Sequence, residues 1–345
     1  MRTETIVLNQ ERNVTMTAYL LEVEGEFGYV SRRPAILVLP GGGYQICSDR
    51  EADPVAMPYL KAGYQVFILR YSVKEYSVWP NPLEDYEQAM TMIRENAHPW
   101  KLFPDKVAVI GFSAGGHLAA AAATMAVNRP NAAILGYAVT SSDVKGCNVT
   151  APDTVSQVDK DTCPCFLFAT RDDDVVPVMN SIRFMEALTK MGTSFESHIY
   201  SHGPHGFSTG DTSIQRRDVP MSDRISDWVP DSIGWLKEVL GDFGENGMTL
   251  PAVEAHVTGD WKDFLSVDCT FGRILNNPEG RKAVEELLET VKKQAEERGA
   301  DRAEVTLESM AVFSDIRMKK ILDHVSVPED MVKAIDHRLS QIRNL

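Results

Sequence analysis

The stretch Val107-Ala-Val-Ile-Gly111-Phe-Ser113-Ala-Gly115-Gly116-His117 constrains this chain more than any other. Four apolar residues suit a buried strand, and the alanine run from Ala119 to Ala123 suits a helix. Between them stands Gly-x-Ser-x-Gly. A strand turning sharply into a helix around that motif is the context of a nucleophile elbow. Such a turn holds its serine in a strained conformation, so the neighbours must be small. Gly111 and Gly115 leave room for the turn, and Gly116 with the alanines lets the helix pack closely on a sheet. By itself the motif would mark only a glycine-rich turn. With the strand before it and the helix after it, Ser113 is the candidate nucleophile.

The rest of the chain arranges itself around that unit. Residues 3–8 and 14–22 alternate polar and apolar and predict an antiparallel opening pair of strands. Short apolar runs at 34–40, 64–70, 106–110, 132–139 and 165–169 predict further strands, and 194–200 a last one. Helical spacing predicts helices over 51–62, 82–96, 179–191 and 231–240. Strands alternating with helices in this way imply an α/β architecture, a mostly parallel sheet covered on both faces. Sites in such sheets lie at the carboxyl ends of the strands. Composition changes near residue 241. The expected division is a catalytic domain over 1–241, a linker over 242–260 and a helical C-terminal module over 261–345, with helices at 279–297 and 328–343. No internal repeat is evident.

A formal net charge of −14 argues against nucleic acid or an anionic membrane as partner, because both call for clustered Lys and Arg. The N-terminus has no apolar core of signal-peptide length, and no stretch reaches membrane-spanning length. Five cysteines in no framework spacing predict free thiols and a cytoplasmic setting. Cys163-Pro-Cys165 lacks the second pair that a zinc site would need. No metal and no cofactor are expected.

A serine hydroxyl attacks only if a base takes its proton, and the base needs an orienting carboxylate. Behind an elbow of this kind the order is Ser, acid, His. Arg171-Asp172-Asp173-Asp174-Val175-Val176-Pro177 follows a late strand. Its Asp-x-x-Val-Pro form singles out Asp173, with Asp172 and Asp174 read as turn formers or caps. Asp143 is the alternative acid. Ser201-His202-Gly203-Pro204-His205-Gly206 follows the last strand, and its glycines let His205 swing back over the strand ends. His202 is read as shaping the loop. His117, one helical turn beyond Ser113, is read as packing or making a helix hydrogen bond. An oxyanion needs backbone N–H donors aimed at it. The expected donors are Gly42 and Gly43, in the Gly41-Gly42-Gly43 run after an early strand, and Ala114. Cys47 has no base beside it and is set aside as a nucleophile.

Taken as a set, Pro40-Gly-Gly-Gly-Tyr44 with Ser48-Asp-Arg-Glu51, Arg70-Tyr-Ser72, Gly111-Phe-Ser-Ala-Gly-Gly-His117, Asp173-x-x-Val-Pro177 and His205-Gly206 resemble the α/β-hydrolase esterases. The likeness covers about residues 20–240 and lies nearest the bacterial acetyl esterase and acetylxylan-esterase-like branch. Pro40 stands where the lipase-like relatives usually have His. The resemblance implies an α/β-hydrolase fold, a Ser113–Asp173–His205 triad and an oxyanion hole of Gly42, Gly43 and Ala114. It also implies removal of acetyl or other short acyl groups from sugars, with an acetylated oligosaccharide as small-molecule partner. About two dozen residues separate Val139 from Cys165, too few for a large lid. Gly272-Arg-Ile-Leu-Asn-Asn-Pro-Glu-Gly280 is loosely similar to small helical modules of bacterial carbohydrate-active enzymes; a homo-oligomer built through its apolar faces is one expectation. A general short-chain carboxylesterase, a peptidase, a lactone hydrolase or a non-catalytic scaffold binding a partner through these helices are the alternatives.

Overall fold

The computed structural model describes residues 1–215, 218–243, 250–297 and 311–344. The chain divides into two compact units, Met1–Ala255 and His256–Leu345.

The first unit is built on a sheet of eight strands among the described residues, in the order β1-β2-β4-β3-β5-β6-β7-β8. These are β1 (Arg2–Asn9), β2 (Val14–Leu20), β3 (Arg33–Leu39), β4 (Gln65–Arg70), β5 (Leu102–Phe112), β6 (Ala132–Gly136), β7 (Cys165–Thr170) and β8 (Phe195–Tyr200). β1 with β2 and β2 with β4 are antiparallel; every later pairing is parallel. The helices are α1 (Asp53–Lys61), α2 (Asn81–Glu95), α3 (Ser113–Met125), α4 (Met179–Lys190) and α5 (Trp228–Leu240).

Burial along the strands follows from this layering. All seven residues of β3 and all six of β7 are buried, because helices cover both faces of the centre. The exposed edge strand β1 has no fully buried residue. Successive side chains point to opposite faces, so two cores form. Leu37, Leu39, Val109, Leu135 and Leu167 pack with Tyr86, Met90, Phe184 and Leu188 of α2 and α4. Ile36, Val38, Ile110, Ile134 and Phe168 pack with Tyr59 of α1 and with Trp228 and Trp235 of α5. Trp228 stacks on Phe168 with centroids 4.2 Å apart and an 8° interplanar angle. Such pairs add about 0.5–1.5 kcal/mol beyond area burial.

Three elements depart locally from the sequence pattern. The predicted helix 51–62 begins only at Asp53, since Pro54 suits the first helical turn; residues Asp49–Glu51 form a separate 3-10 turn. β6 ends at Gly136 rather than continuing to 139, because Tyr137 takes a φ of +35°, which no strand accommodates. β5 starts at Leu102, four residues before the apolar run, with Pro104 and Asp105 exposed in it.

Residues 250–255, inside the stretch whose composition reads as a linker, are bonded into the first unit. Ala252 N–H donates to Glu238 O at 2.7 Å, and Ser194 N–H donates to Ala255 O at 2.8 Å.

The second unit holds α6 (Phe271–Asn276), α7 (Pro278–Glu297), α8 (Met318–His324) and α9 (Glu329–Leu339). It contains an internal similarity that the sequence pattern hid. Each half is a short helix carrying a buried Ile-Leu pair, Ile274-Leu275 and Ile321-Leu322, followed by Pro-Glu and a longer helix. The two short helices start side by side: Phe271 N–H donates to Ile316 O and Met318 N–H to Cys269 O, both at 2.9 Å. One residue separates the helices in the first half and four in the second, which erases the fixed period that betrays a repeat.

Candidate active site

Ser113 sits where β5 turns into α3, with φ +52°. A non-glycine residue in that region stores about 1–3 kcal/mol of strain, so the surroundings must hold it there. They do so by close approach. A Cβ on Gly115 would lie 2.2 Å from Leu39 O and 2.4 Å from Pro40 O; one on Gly111 would lie 2.1 Å from Gly115 O. Either alanine would force α3 off the sheet.

The structure brings the three sequence-predicted groups together. His205 Nε2 is 2.9 Å from Ser113 Oγ, and His205 Nδ1 is 2.7 Å from Asp173 Oδ2. A carboxylate can only accept, so Nδ1 carries the hydrogen and Nε2 is left to take the serine proton. Asp173 is fixed in turn: its Oδ1 accepts the N–H groups of Val175 and Val176 at 2.9 and 2.8 Å. Its side chain is fully buried, whereas the His205 side chain keeps 16% exposure. The imidazole is open to approach from outside, and the carboxylate is closed to water.

Asp143 is engaged elsewhere. Its Oδ2 accepts from Asn180 Nδ2 at 2.9 Å. Asn180 is wholly buried, and its Oδ1 accepts from the backbone of Thr140 and Ser141, tying the loop after β6 to α4. Asp172 does more than form a turn. Its Oδ1 accepts Gly203 N–H at 2.9 Å, and Thr170 Oγ1 donates to Gly203 O at 2.8 Å. The histidine loop is thereby anchored to the end of β7. His202 Nδ1 lies 2.9 Å from the hydroxyl of its neighbour Ser201.

The glycine run follows β3. Gly41 N–H donates to Glu51 Oε2 at 2.8 Å. Gly42 and Gly43 have φ of +129° and +61°, and a Cβ on Gly42 would meet Ile46 O at 2.4 Å. No acceptor among the described residues takes the N–H of Gly42 or of Gly43. Ala114 is in the first turn of α3, where backbone N–H groups have no partner within the helix.

His117, also on α3, is wholly buried. Its Nε2 lies 2.8 Å from Pro152 O and its Nδ1 2.7 Å from Tyr44 Oη. The carbonyl can only accept, so Nε2 carries the hydrogen and Nδ1 accepts from the tyrosine. Burial pushes this histidine down to about 4. It is a neutral bolt between α3, the glycine loop and the 148–152 segment.

Cys47 is half-buried, and burial raises its thiol to about 11, the wrong direction for a nucleophile. Among the described residues no group of three or more His, Cys, Asp or Glu could hold a metal. No helix among them is long and apolar enough to cross a membrane. Residues 140–164 add two short 3-10 turns, Ser142–Gly146 and Val155–Gln157.

Residues 28–145 match the BD-FAE family and residues 148–222 the prolyl oligopeptidase family. Endo-1,4-beta-xylanase B of Butyrivibrio fibrisolvens is 32% identical over 208 residues, 51% of this chain and 33% of that protein. Acetylxylan esterase of Xylanibacter ruminicola is 30% identical over 218 residues, 56% of this chain and 45% of that one. The chain therefore spans a third to less than a half of these curated relatives. Among solved structures, MGS-M1, an alpha/beta hydrolase enzyme from a Medee basin deep-sea metagenome library, is 44% identical with a TM-score of 0.66. That likeness covers 69% of this chain and 98% of MGS-M1. Near-complete coverage of that chain at that identity shows that this chain belongs to the α/β-hydrolase family.

Proposed function

We propose that this protein is a serine carboxylesterase that removes acetyl and other short acyl groups from sugar hydroxyls. The observation that carries the reading is the continuous path Ser113 Oγ–His205–Asp173, with contacts of 2.9 and 2.7 Å. Ser113 attacks the ester carbonyl while His205 Nε2 takes its proton. Asp173 holds the ring tautomer and stabilises the imidazolium. The oxyanion of the tetrahedral intermediate is met by the N–H groups of Gly42, Gly43 and Ala114, a term commonly worth several kcal/mol. The alcohol leaves with the proton from His205. Water, deprotonated by the same histidine, then releases the acid from Ser113.

The sugar half of the reading rests on two supports. The curated relatives are named for xylan cleavage and for acetylxylan esterase activity. The short 140–164 segment leaves no room for a large cap, which suits small acyl groups on a bulky alcohol. A cytoplasmic setting, with the five cysteines left as thiols, and self-association through the apolar faces of the second unit belong to the same proposal. Sedimentation velocity of the full chain tests the last point: a monomer at all concentrations removes it.

The deciding experiment is mass spectrometry of acetylated xylo- and manno-oligosaccharides incubated with wild type and with Ser113→Ala. Loss of acetyl groups with the wild type alone supports the whole reading. Intact oligosaccharides beside cleavage of an aryl acetate leave the esterase and remove the sugar.

A further inference from the structure

Glutamate is almost never fully buried unless partnered, yet Glu51 is only 5% exposed. The 3-10 turn Asp49–Glu51 folds it back beneath the glycine loop. Both carboxylate oxygens are used. Oε2 accepts Gly41 N–H at 2.8 Å and Oε1 accepts Tyr137 O–H at 2.5 Å. The Tyr137 oxygen then accepts Ser208 N–H at 3.1 Å, three residues after His205. The Tyr137 ring meets the His205 ring edge-on, centroids 5.0 Å apart. A Cβ on Gly41 would lie 2.6 Å from Glu51 Oε2 and 3.1 Å from Ser113 Cβ, so carboxylate and nucleophile are separated by the width of one glycine.

Each group bonded to Glu51 is a donor, which suits the ionised form. Burial raises its carboxyl, and the bonds from Tyr137 and Gly41 and the nearby His205 and Arg50 act against that rise. Facing His205 are Asp173, Ser113 and the Tyr137 ring, with Arg50 donating to Gly206 O at 2.8 Å on the same loop.

We propose that Glu51 is a positioning residue of this site. Through Gly41 it holds the loop bearing Gly42 and Gly43, through Tyr137 it holds the histidine loop, and it sets a second negative charge near the imidazole. The transition state needs both loops placed to a fraction of an ångström, and one carboxylate fixes them against each other. By consuming Gly41 N–H, Glu51 also decides which glycine N–H groups remain for the oxyanion. This rests on the serine-esterase reading above.

The test compares wild type, Glu51→Gln and Tyr137→Phe on an aryl acetate from pH 5 to 9, with circular dichroism to fix the folded fraction. A fluorophosphonate probe on the wild type checks the reading beneath: an unlabelled Ser113 sinks the esterase assignment, independently of Glu51. Both variants should lose kcat by about 10- to 100-fold with KM little changed, since misplacement by an ångström costs about that much. In Glu51→Gln the acid limb of kcat/KM should also move to lower pH, because removing a negative charge disfavours the protonated site. Tyr137→Phe keeps the charge, and its acid limb should stay. A kcat within twofold of wild type per folded molecule in either variant overturns the proposal, as does an unmoved acid limb in Glu51→Gln. If Glu51→Gln does not fold, Tyr137→Phe decides by its kcat.

Discussion

Two histidine pockets flank the elbow, and they use the same side chain in opposite ways. His205 places Nδ1 on a carboxylate and Nε2 on a hydroxyl, and its side chain is 16% exposed. His117 places Nε2 on a carbonyl and Nδ1 on a phenol, with no exposure at all. Both rings have both nitrogens satisfied, so satisfaction does not distinguish them. The difference is what happens when a proton arrives. At His205 the new charge meets Asp173. At His117 it meets a phenol whose hydrogen already points at the ring, in a dry pocket where a charge is costly. In the proposed mechanism the first ring takes up and returns a proton, whereas burial keeps the second neutral.

The sharpest way to break this comparison is to remove the working ring. His205→Ala should lower kcat on an aryl acetate by about 10⁴- to 10⁶-fold while thermal unfolding stays near that of wild type; a loss under tenfold would sink the assignment of the base. Next in size is the partner. Asp173→Asn preserves shape but presents a donor to Nδ1, selecting the wrong tautomer, and kcat should fall by about 10³- to 10⁴-fold. If Asp143→Asn instead produces that fall, the acid has been misassigned.

His117 predicts a pH dependence of stability rather than of rate. Its folded value is lowered from 6.5 to about 4 by burial, so the unfolded chain takes up a proton first as pH falls. The contribution is fully present above about 6.5 and is lost as pH drops toward 4. At pH 5 the loss should be about 2 kcal/mol. Urea unfolding at pH 7.5, 6 and 5 reads it, with Asp153 and Lys145 as the charged neighbours. In His117→Gln that part of the slope should vanish; an unchanged slope would mean other groups carry it. The smallest effect belongs to the phenol. Tyr44→Phe removes the bond to His117 Nδ1 and should cost about 1–2 kcal/mol of stability with kcat within a few-fold, measured by the same unfolding series.

Much of the site could be read along the chain because its members sit in local motifs. An elbow needs small residues at fixed offsets from its serine, so Ser113 is marked by Gly111 and Gly115. Asp173 stands after the apolar run of β7 and His205 in the glycine-bearing loop after β8. Asp172 was only half visible: its side chain predicted turn chemistry, but its acceptor role toward Gly203 spans 31 residues. Along the chain Glu51 shows only as the end of Ser48-Asp-Arg-Glu51 and the start of a helical pattern. Its work lies with Gly41 and Tyr137, ten and 86 residues away, and no periodicity encodes such a pairing. The similarity between the two halves of the second unit escaped for a related reason. Its signature is a pair of facing helix starts, and the connections within each half differ in length.

By itself, then, the sequence determined the layers and the local motifs that carry the candidate site. Period-2 burial fixed which strand residues face which helices, and glycine at 111 and 115 allowed the close-packed turn that holds Ser113. The tertiary structure decided what each polar side chain does once buried. A carboxylate or imidazole out of water must find partners, and which partners are within reach depends on how strands distant in the chain are set side by side. That is why His205 and His117, equal as letters, meet different partners, a carboxylate and a hydroxyl for one and a carbonyl and a phenol for the other.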